Sequence, residues 1–153
     1  MRILLQRVKR ASVTIDGECR SKIDGGLLAF VGFCEEDKEE YILPMAQKMA
    51  GLRIFEDSDD KMNLSLSDVG GDILVISQFT LYADCSHGRR PSFTGAMHPE
   101  KAKQYYDKFI ETLGSITDCY IGTGEFGADM KVELLNDGPV TIMLDSNDIV
   151  KKK

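Results

Sequence analysis

Tryptophan is absent from this chain of 153 residues, and there are only four prolines and two histidines, His87 and His98. The four cysteines (Cys19, Cys34, Cys85, Cys119) lie far apart and form no Cys-x-x-Cys pair. With so few histidines to help, no zinc-ligand spacing exists, and no metal site is expected. Free, mostly buried thiols in a reducing compartment are the expectation. No apolar run approaches the roughly 20 residues that span a bilayer. The opening Met1-Arg2-Ile3-Leu4-Leu5-Gln6-Arg7-Val8 is charged too early for the apolar core of a signal peptide. The chain therefore reads as cytoplasmic, with no membrane partner. A basic excess is also missing: net charge is −6 and the sequence pI about 4.9, whereas broad nucleic-acid binders show a basic face and a pI above roughly 9. Any nucleic-acid partner must be gripped at a small local site. Local basic stretches are Arg7-Val8-Lys9-Arg10, Arg89-Arg90 and the Lys151-Lys152-Lys153 tail, the last most simply a solvated end.

What is there fits one globular domain over residues 1–153. The apolar fraction is 42% and the charged fraction 29%, and a chain of this length buries roughly 68–70% of its unfolded surface. Residues 2–9 and 11–16 are β-rich, and Asp16-Gly17 is a hairpin turn signal. The apolar run 26–33 suits a strand buried on both faces. A helix is expected from about Asp37 to Ala50, with Tyr41, Ile42, Met45 and Met49 on one face. Pro44 should kink it or move its start to about Leu43. A short strand at 52–55 leads to Glu56-Asp57-Ser58-Asp59-Asp60, which lacks the EF-hand pattern and reads as a solvated turn. Residues 72–79 read as a central strand that turns polar at its carboxyl end. A second helix runs from Pro99 to about Leu113 with a buried stripe of Ala102, Tyr105, Tyr106, Phe109, Ile110 and Leu113. Residues 130–134 and 140–144 form two closing strands. The order β-β-β-α-β-β-α-β-β demands a mixed sheet: the fold class is α/β, a curled, barrel-like sheet packed with two main helices.

Three polar clusters could carry chemistry. The glycines at 122, 124 and 127 formally match Gly-x-Gly-x-x-Gly, but a strand pattern follows where the dinucleotide fingerprint needs a helix. No cofactor is expected there. In Ser77-Gln78-Phe79-Thr80, Ser77 and Thr80 are candidate hydroxyl nucleophiles without an obvious partner base, and no Gly-x-Ser-x-Gly elbow exists. Cys85 near His87 is a weak nucleophile–base pair. A hydrolase built on such residues would supply position and backbone N–H groups as an oxyanion hole, leaving the proton chemistry to the substrate. The third cluster is Gly88-Arg89-Arg90-Pro91-Ser92-Phe93. Finally, Asn136-Asp137-Gly138-Pro139-Val140-Thr141 sets a Gly-Pro step before an expected buried strand. Glycine permits close backbone approach to a ligand, and an X-Pro bond can be cis at modest cost; an ordinary Asp-Gly turn is the plain alternative.

Taken together, Ser77-Gln78-Phe79-Thr80-Leu81, Arg90-Pro91-Ser92-Phe93, Phe126-Gly127-Ala128-Asp129-Met130 and Asn136-Asp137-Gly138-Pro139-Val140-Thr141 resemble the D-aminoacyl-tRNA deacylases. The opening residues and Gly51-Leu52-Arg53-Ile54-Phe55 look the same way, so the likeness covers almost the whole chain. The resemblance implies a cytoplasmic homodimer that hydrolyses the ester between a D-amino acid and the tRNA terminal ribose; a filter that acts on the side chain's position cannot exclude glycine, so hydrolysis of glycyl-tRNA is expected too. It implies that Ser77, Gln78, Phe79 and Thr80 line the catalytic pocket, with the Phe79 and Thr80 N–H groups facing the scissile carbonyl and the tRNA 2′-hydroxyl assisting the attacking water. It implies that a cis Gly138-Pro139 reaches into the partner's pocket and excludes L side chains, and it adds Phe126 and Met130 as substrate-binding residues. A sister group that edits L-alanine carries Pro-Gln-Ala-Thr in place of Ser-Gln-Phe-Thr, which puts this chain on the D-specific side. Two alternatives stay open at this point: a module that binds a nucleic-acid end without turnover, and a threonine or cysteine hydrolase of small esters.

Overall fold

The computed structural model describes residues 1–151; Lys152 and Lys153 of the basic tail lie outside the described residues. Strand β1 (Arg2–Ile15) is the spine. The two β-rich segments at 2–9 and 11–16 are thus one strand, whose buried residues Ile3, Leu5, Ala11, Val13 and Ile15 recur at a period of two on either side of a register break. Asp16 (φ 51°) and Gly17 (φ 79°) both take positive φ, as a type I′ hairpin turn requires, and deliver the chain into β2 (Glu18–Ile23). Strand β3 (Gly26–Gly32) is buried on both faces, as its unbroken apolar run foretold.

Along one edge of β1 runs β8 (Lys131–Asp145), from Arg2↔Asp145 to Thr14↔Lys131. The other edge is shared: β3 takes residues 2–8 and β2 takes residues 11–15, all antiparallel. Beyond β3 lie β6 (Asp72–Ser77) and β7 (Ile121–Thr123), both parallel to their neighbours. Curling brings β7 back to β2, where the Ser21 hydroxyl donates to the Thr123 carbonyl at 2.7 Å. A side chain closes this seam instead of a ladder, so the mixed sheet is a nearly closed barrel.

Helix α1 (Ile42–Gly51) follows a 3-10 turn at Glu39–Tyr41. Pro44 falls in its first turn, where no N–H has an intrahelical acceptor, so it sets the start without a kink. Helix α3 (Pro99–Ile116) runs three residues past its expected end, with His98 at its N-cap. The two helices cover one face of the sheet: Met45, Met49, Phe109 and Leu113 pack on Ile3, Leu5, Ile73 and Val75, all fully buried. The alternate residues Leu28, Leu74 and Ile76 fill the inside of the curl with Val8 and Val13. Burial of each such side chain stabilises by about 1.5–3 kcal/mol. The short strand expected at 52–55 is present only as β4 (Phe55–Glu56), with residues 52–54 outside any strand; other short elements escaped the sequence reading, since β5 (Met62–Leu64), α2 (Leu66–Val69), β7 and α4 (Ser146–Ile149) are too brief to show a period. All four thiols are free as expected, but none is fully buried, and Cys19 and Cys85 are exposed.

Candidate active site

The carboxyl end of β6 makes the site. The strand stops at Ser77, two residues before its expected end at Phe79, because Gln78 (φ −148°, ψ 84°) turns the chain into a 3-10 turn at Phe79–Tyr82. The Gln78 N–H still donates to Val31 at 2.8 Å, the last bond of the β3–β6 ladder. Gly32 permits this approach: a Cβ there would stand 2.6 Å from the Gln78 carbonyl oxygen. At the head of the turn the Phe79 and Thr80 N–H groups have no acceptor among the described residues. The Thr80 hydroxyl accepts from the Gln78 side-chain amide at 2.5 Å. An amide N–H is a donor and no base, so Thr80 is not activated.

Next to this turn lies an apolar cavity of about 740 Å³, lined by Ser77, Gln78, Phe79, Phe93, Phe126 and Met130 among others. The cavity wall is anchored from behind. Phe126 packs on Tyr106 with ring centroids 6.0 Å apart, and the Tyr106 hydroxyl donates to the Val75 carbonyl at 2.9 Å. Burial, with a smaller push from Asp107, drives the Tyr106 phenol well above its usual range, so it remains a neutral donor. Glu35 and His98 also line the cavity, the His98 backbone N–H donating to the Glu35 carboxylate at 2.5 Å. A second cavity, of about 650 Å³, sits at the opposite end of β6 against Gly71 and Asp72 and holds none of the candidate residues.

Gly138 and Pro139 are elsewhere. The two expected strands at 130–134 and 140–144 are one strand, β8, interrupted by a bulge: Val8 pairs with Asn136 and Gln6 with Thr141, so residues 137–140 stand opposite Arg7 alone. Pro139 sits in that bulge, where no ladder donor is required. The Gly138–Pro139 peptide is cis and Gly138 has φ 131°. Both residues are exposed while their flanks are bolted down. Asn136 accepts from the Val140 N–H at 3.0 Å, and the buried Arg7 donates to the Asp137 carbonyl at 3.0 Å and to the Ile54 carbonyl at 2.7 Å. Arg7 also pairs with the Asp137 and Glu56 carboxylates, each at 3.5 Å.

Sequence comparison is decisive here, because the chain matches the family described as D-Tyr-tRNA(Tyr) deacylase over residues 4–145. The chain belongs to the D-Tyr-tRNA(Tyr) deacylase family. It is 54% identical to the D-aminoacyl-tRNA deacylase of Dictyoglomus turgidum, over 100% of this chain and 97% of that protein. It is also 54% identical to the D-aminoacyl-tRNA deacylase of Halothermothrix orenii, over 96% of this chain and 98% of that protein. Among solved structures, a c-Myc DNA Unwinding Element Binding Protein superposes with a TM-score of 0.91 at 41% identity, covering 95% of this chain and 99% of that one. A probable eukaryotic D-amino acid tRNA deacylase shares the fold at a TM-score of 0.79 and 17% identity, over 94% of this chain and 97% of that one. Membership makes this chain a hydrolase of the aminoacyl-tRNA ester bond.

Of the deacylase candidates, Ser77, Gln78, Phe79, Phe126 and Met130 meet in one cavity. Thr80 stands beside it without lining it, and Gly138 and Pro139 do not reach the cavity of their own chain. Arg7, Glu35 and His98 were missed as members of either region. Arg7 looked like part of a surface basic stretch; its only signal was a charge at a position flanked by alternating apolar residues.

Proposed function

We propose that this chain hydrolyses D-aminoacyl-tRNA by backbone electrostatics, with the tRNA 2′-hydroxyl assisting the attacking water. The observation that carries this reading is the pair of acceptor-free N–H groups at Phe79 and Thr80 beside an apolar cavity, with no base bonded to the Thr80 hydroxyl among the described residues. Two N–H groups aimed at a carbonyl stabilise the oxyanion that develops during acyl transfer, by about 2.7–4 kcal/mol for one donor in measured cases. Ser77, Gln78, Phe126 and Met130 shape the pocket for the acceptor end. Its apolar walls suit stacking of a terminal base, which explains an RNA substrate on an acidic protein.

In this reading the site is completed by a second copy. Gly138 and Pro139 project from the far side of the molecule, and the outer edge of β8 has no partner strand among the described residues, with Leu135 and Met143 exposed beside it. A homodimer would bring the bulge of one subunit to the cavity of the other, where its carbonyl oxygens meet the substrate's ammonium group and leave no room for an L side chain. Such a filter acts on the side chain's position, so glycyl-tRNA, which has none, is hydrolysed too; inertness toward glycyl-tRNA at high enzyme would refute that part.

The test is deacylation of matched D- and L-tyrosyl-tRNA at low enzyme. Fast loss of the D ester with the L ester spared is expected. The likeness to a DNA unwinding element binding protein favours a second reading, a nucleic-acid-end-binding module. Retained tRNA binding with neither ester hydrolysed would establish that reading instead.

A further inference from the structure

The family reading leaves the arginine cluster at 88–93 unused, and its placement is specific. Asp84 and Ser92 exchange backbone hydrogen bonds at 2.7 and 2.9 Å, closing the base of a tongue formed by residues 85–91. Inside it, the Asp84 carboxylate accepts from the Ser86 N–H and hydroxyl, and Gly88 turns the tip with φ 68°. The tip carries Arg89 and Arg90, both exposed, and neither has an ion-pair partner among the described residues. Just past the base, Phe93 meets Phe79 edge to face with centroids 5.1 Å apart, and both rings line the mouth of the active-site cavity. They are 38% and 57% exposed, unusual for rings that are already in contact. Two open aromatic faces beside two unpaired guanidiniums are the chemistry that holds single-stranded nucleic acid, bases on the rings and phosphates on the cations. The span from Phe93 to Arg90 is at most about 11 Å of chain, so both act on neighbouring nucleotides.

We propose that the 85–91 tongue and the Phe79–Phe93 pair form a subsite for the single-stranded nucleotides that precede the terminal adenosine of the acceptor end. A base stacks on Phe93, and Arg89 and Arg90 hold the adjoining phosphates. This inference rests on the deacylase reading and extends it beyond the terminal nucleoside. The subsite gives tRNA an advantage over a minimal ester without taking part in the bond cleavage.

Two substrates test it: D-tyrosyl-tRNA and the D-tyrosyl ester of adenosine, which lacks everything before the last nucleoside. The ratio of their kcat/KM values should fall about tenfold or more in Arg89→Ala/Arg90→Ala, through KM. The salt dependence of log KM for tRNA should also flatten, by about 0.7 for each arginine removed. A ratio equal to that of the unmodified protein overturns the proposal. So does a parallel loss on both substrates, or a drop in molecular mass in solution, which would make the patch an interface between copies. A fluorescent RNA ending in CCA reads the subsite without turnover: binding about tenfold weaker in the double arginine variant is expected, and equal binding overturns the proposal. If the unmodified protein hydrolyses neither ester yet binds this RNA, the deacylase reading fails while the subsite stands.

Discussion

Replacing Arg7 with methionine should be among the most damaging single changes in this protein, although Arg7 lines no part of the active-site cavity. The guanidinium is buried and donates to the Ile54 and Asp137 carbonyls at 2.7 and 3.0 Å. Methionine keeps most of the stem's volume, so little cavity is created, but both carbonyls lose their donor. Hydrogen bonds to a charged group contribute about 1.5–3 kcal/mol each, which puts the loss at about 3–6 kcal/mol. The ion pairs to Glu56 and Asp137, at 3.5 Å with partly exposed partners, add little after screening. For a chain of this size the loss corresponds to a fall in Tm of roughly 6–24 °C. Thermal unfolding followed by circular dichroism measures it. Deacylation of D- and L-tyrosyl-tRNA below the lowered Tm then reads the second effect, since the 137–140 bulge loses its clamp and discrimination should weaken. Arg7→Lys, which keeps the charge but loses the fork, should fall between. A Tm within about 2 °C of the unmodified protein, with discrimination intact, would refute the clamp.

Three further outcomes follow from the same geometry. Thr80→Ala should slow hydrolysis of D-tyrosyl-tRNA by less than about tenfold; a nucleophile would instead lose several orders of magnitude, and single-turnover rates separate the two. Gly138→Ala places a Cβ 2.9 Å from Val140 Cγ2 and 3.0 Å from Arg7 Nη2 at a φ of 131°, a conformation costing about 1–3 kcal/mol outside glycine; kcat/KM for the D ester should fall, and unchanged activity would count against the chiral filter. Burial raises the Asp145 carboxyl, but the Asn147 N–H and the Arg2 guanidinium outweigh it and hold the group below its ordinary 3.8. Its stabilising effect is thus present above that value and lost as pH falls through the lower folded value. Arg2→Gln should make the decline of Tm in acid shallower, and an identical decline would refute this linkage.

The long elements were legible because their periods are long enough to read. Residues 26–33 and 99–113 declared a doubly buried strand and an amphipathic helix, and the mixed, curled sheet followed from element order. Elements of three or four residues show no period, so the sequence around Gly122 and Thr123 reads as loop where β7 forms. Strand ends were harder. Phe79 reads as the last residue of the strand, but the backbone turns at Gln78, a tertiary event enabled by Gly32 on a neighbouring strand. The 130–144 segment reads as two strands because Gly138-Pro139 looks like punctuation, whereas a bulge absorbs it within one strand. Most of the candidate cavity residues were legible through their motifs. Arg7 was not, because a buried guanidinium serving backbone carbonyls leaves no mark in a linear pattern.

Strand β1 ties the two candidate segments together while keeping them apart. Arg2 donates to the Leu81 carbonyl at 2.8 Å, fastening the turn that carries the Phe79 and Thr80 N–H groups, and its guanidinium lies 4.6 Å from the Tyr82 ring centroid. Five residues on, Arg7 fastens the carbonyl just before Gly138. An odd separation puts the two side chains on opposite faces of the strand, about 17 Å apart along it. Each arginine therefore fixes a piece of backbone, on opposite faces of the same strand, and Gly138 and Pro139 take no part in lining the cavity of their own chain. In the proposed homodimer the bulge meets a substrate held by the Phe79–Thr80 turn of the other copy. In that arrangement the reacting parts are N–H and carbonyl groups, which side-chain substitution cannot delete. Activity should then depend most on residues such as Arg2 and Arg7, which hold those groups in place without contacting the ester.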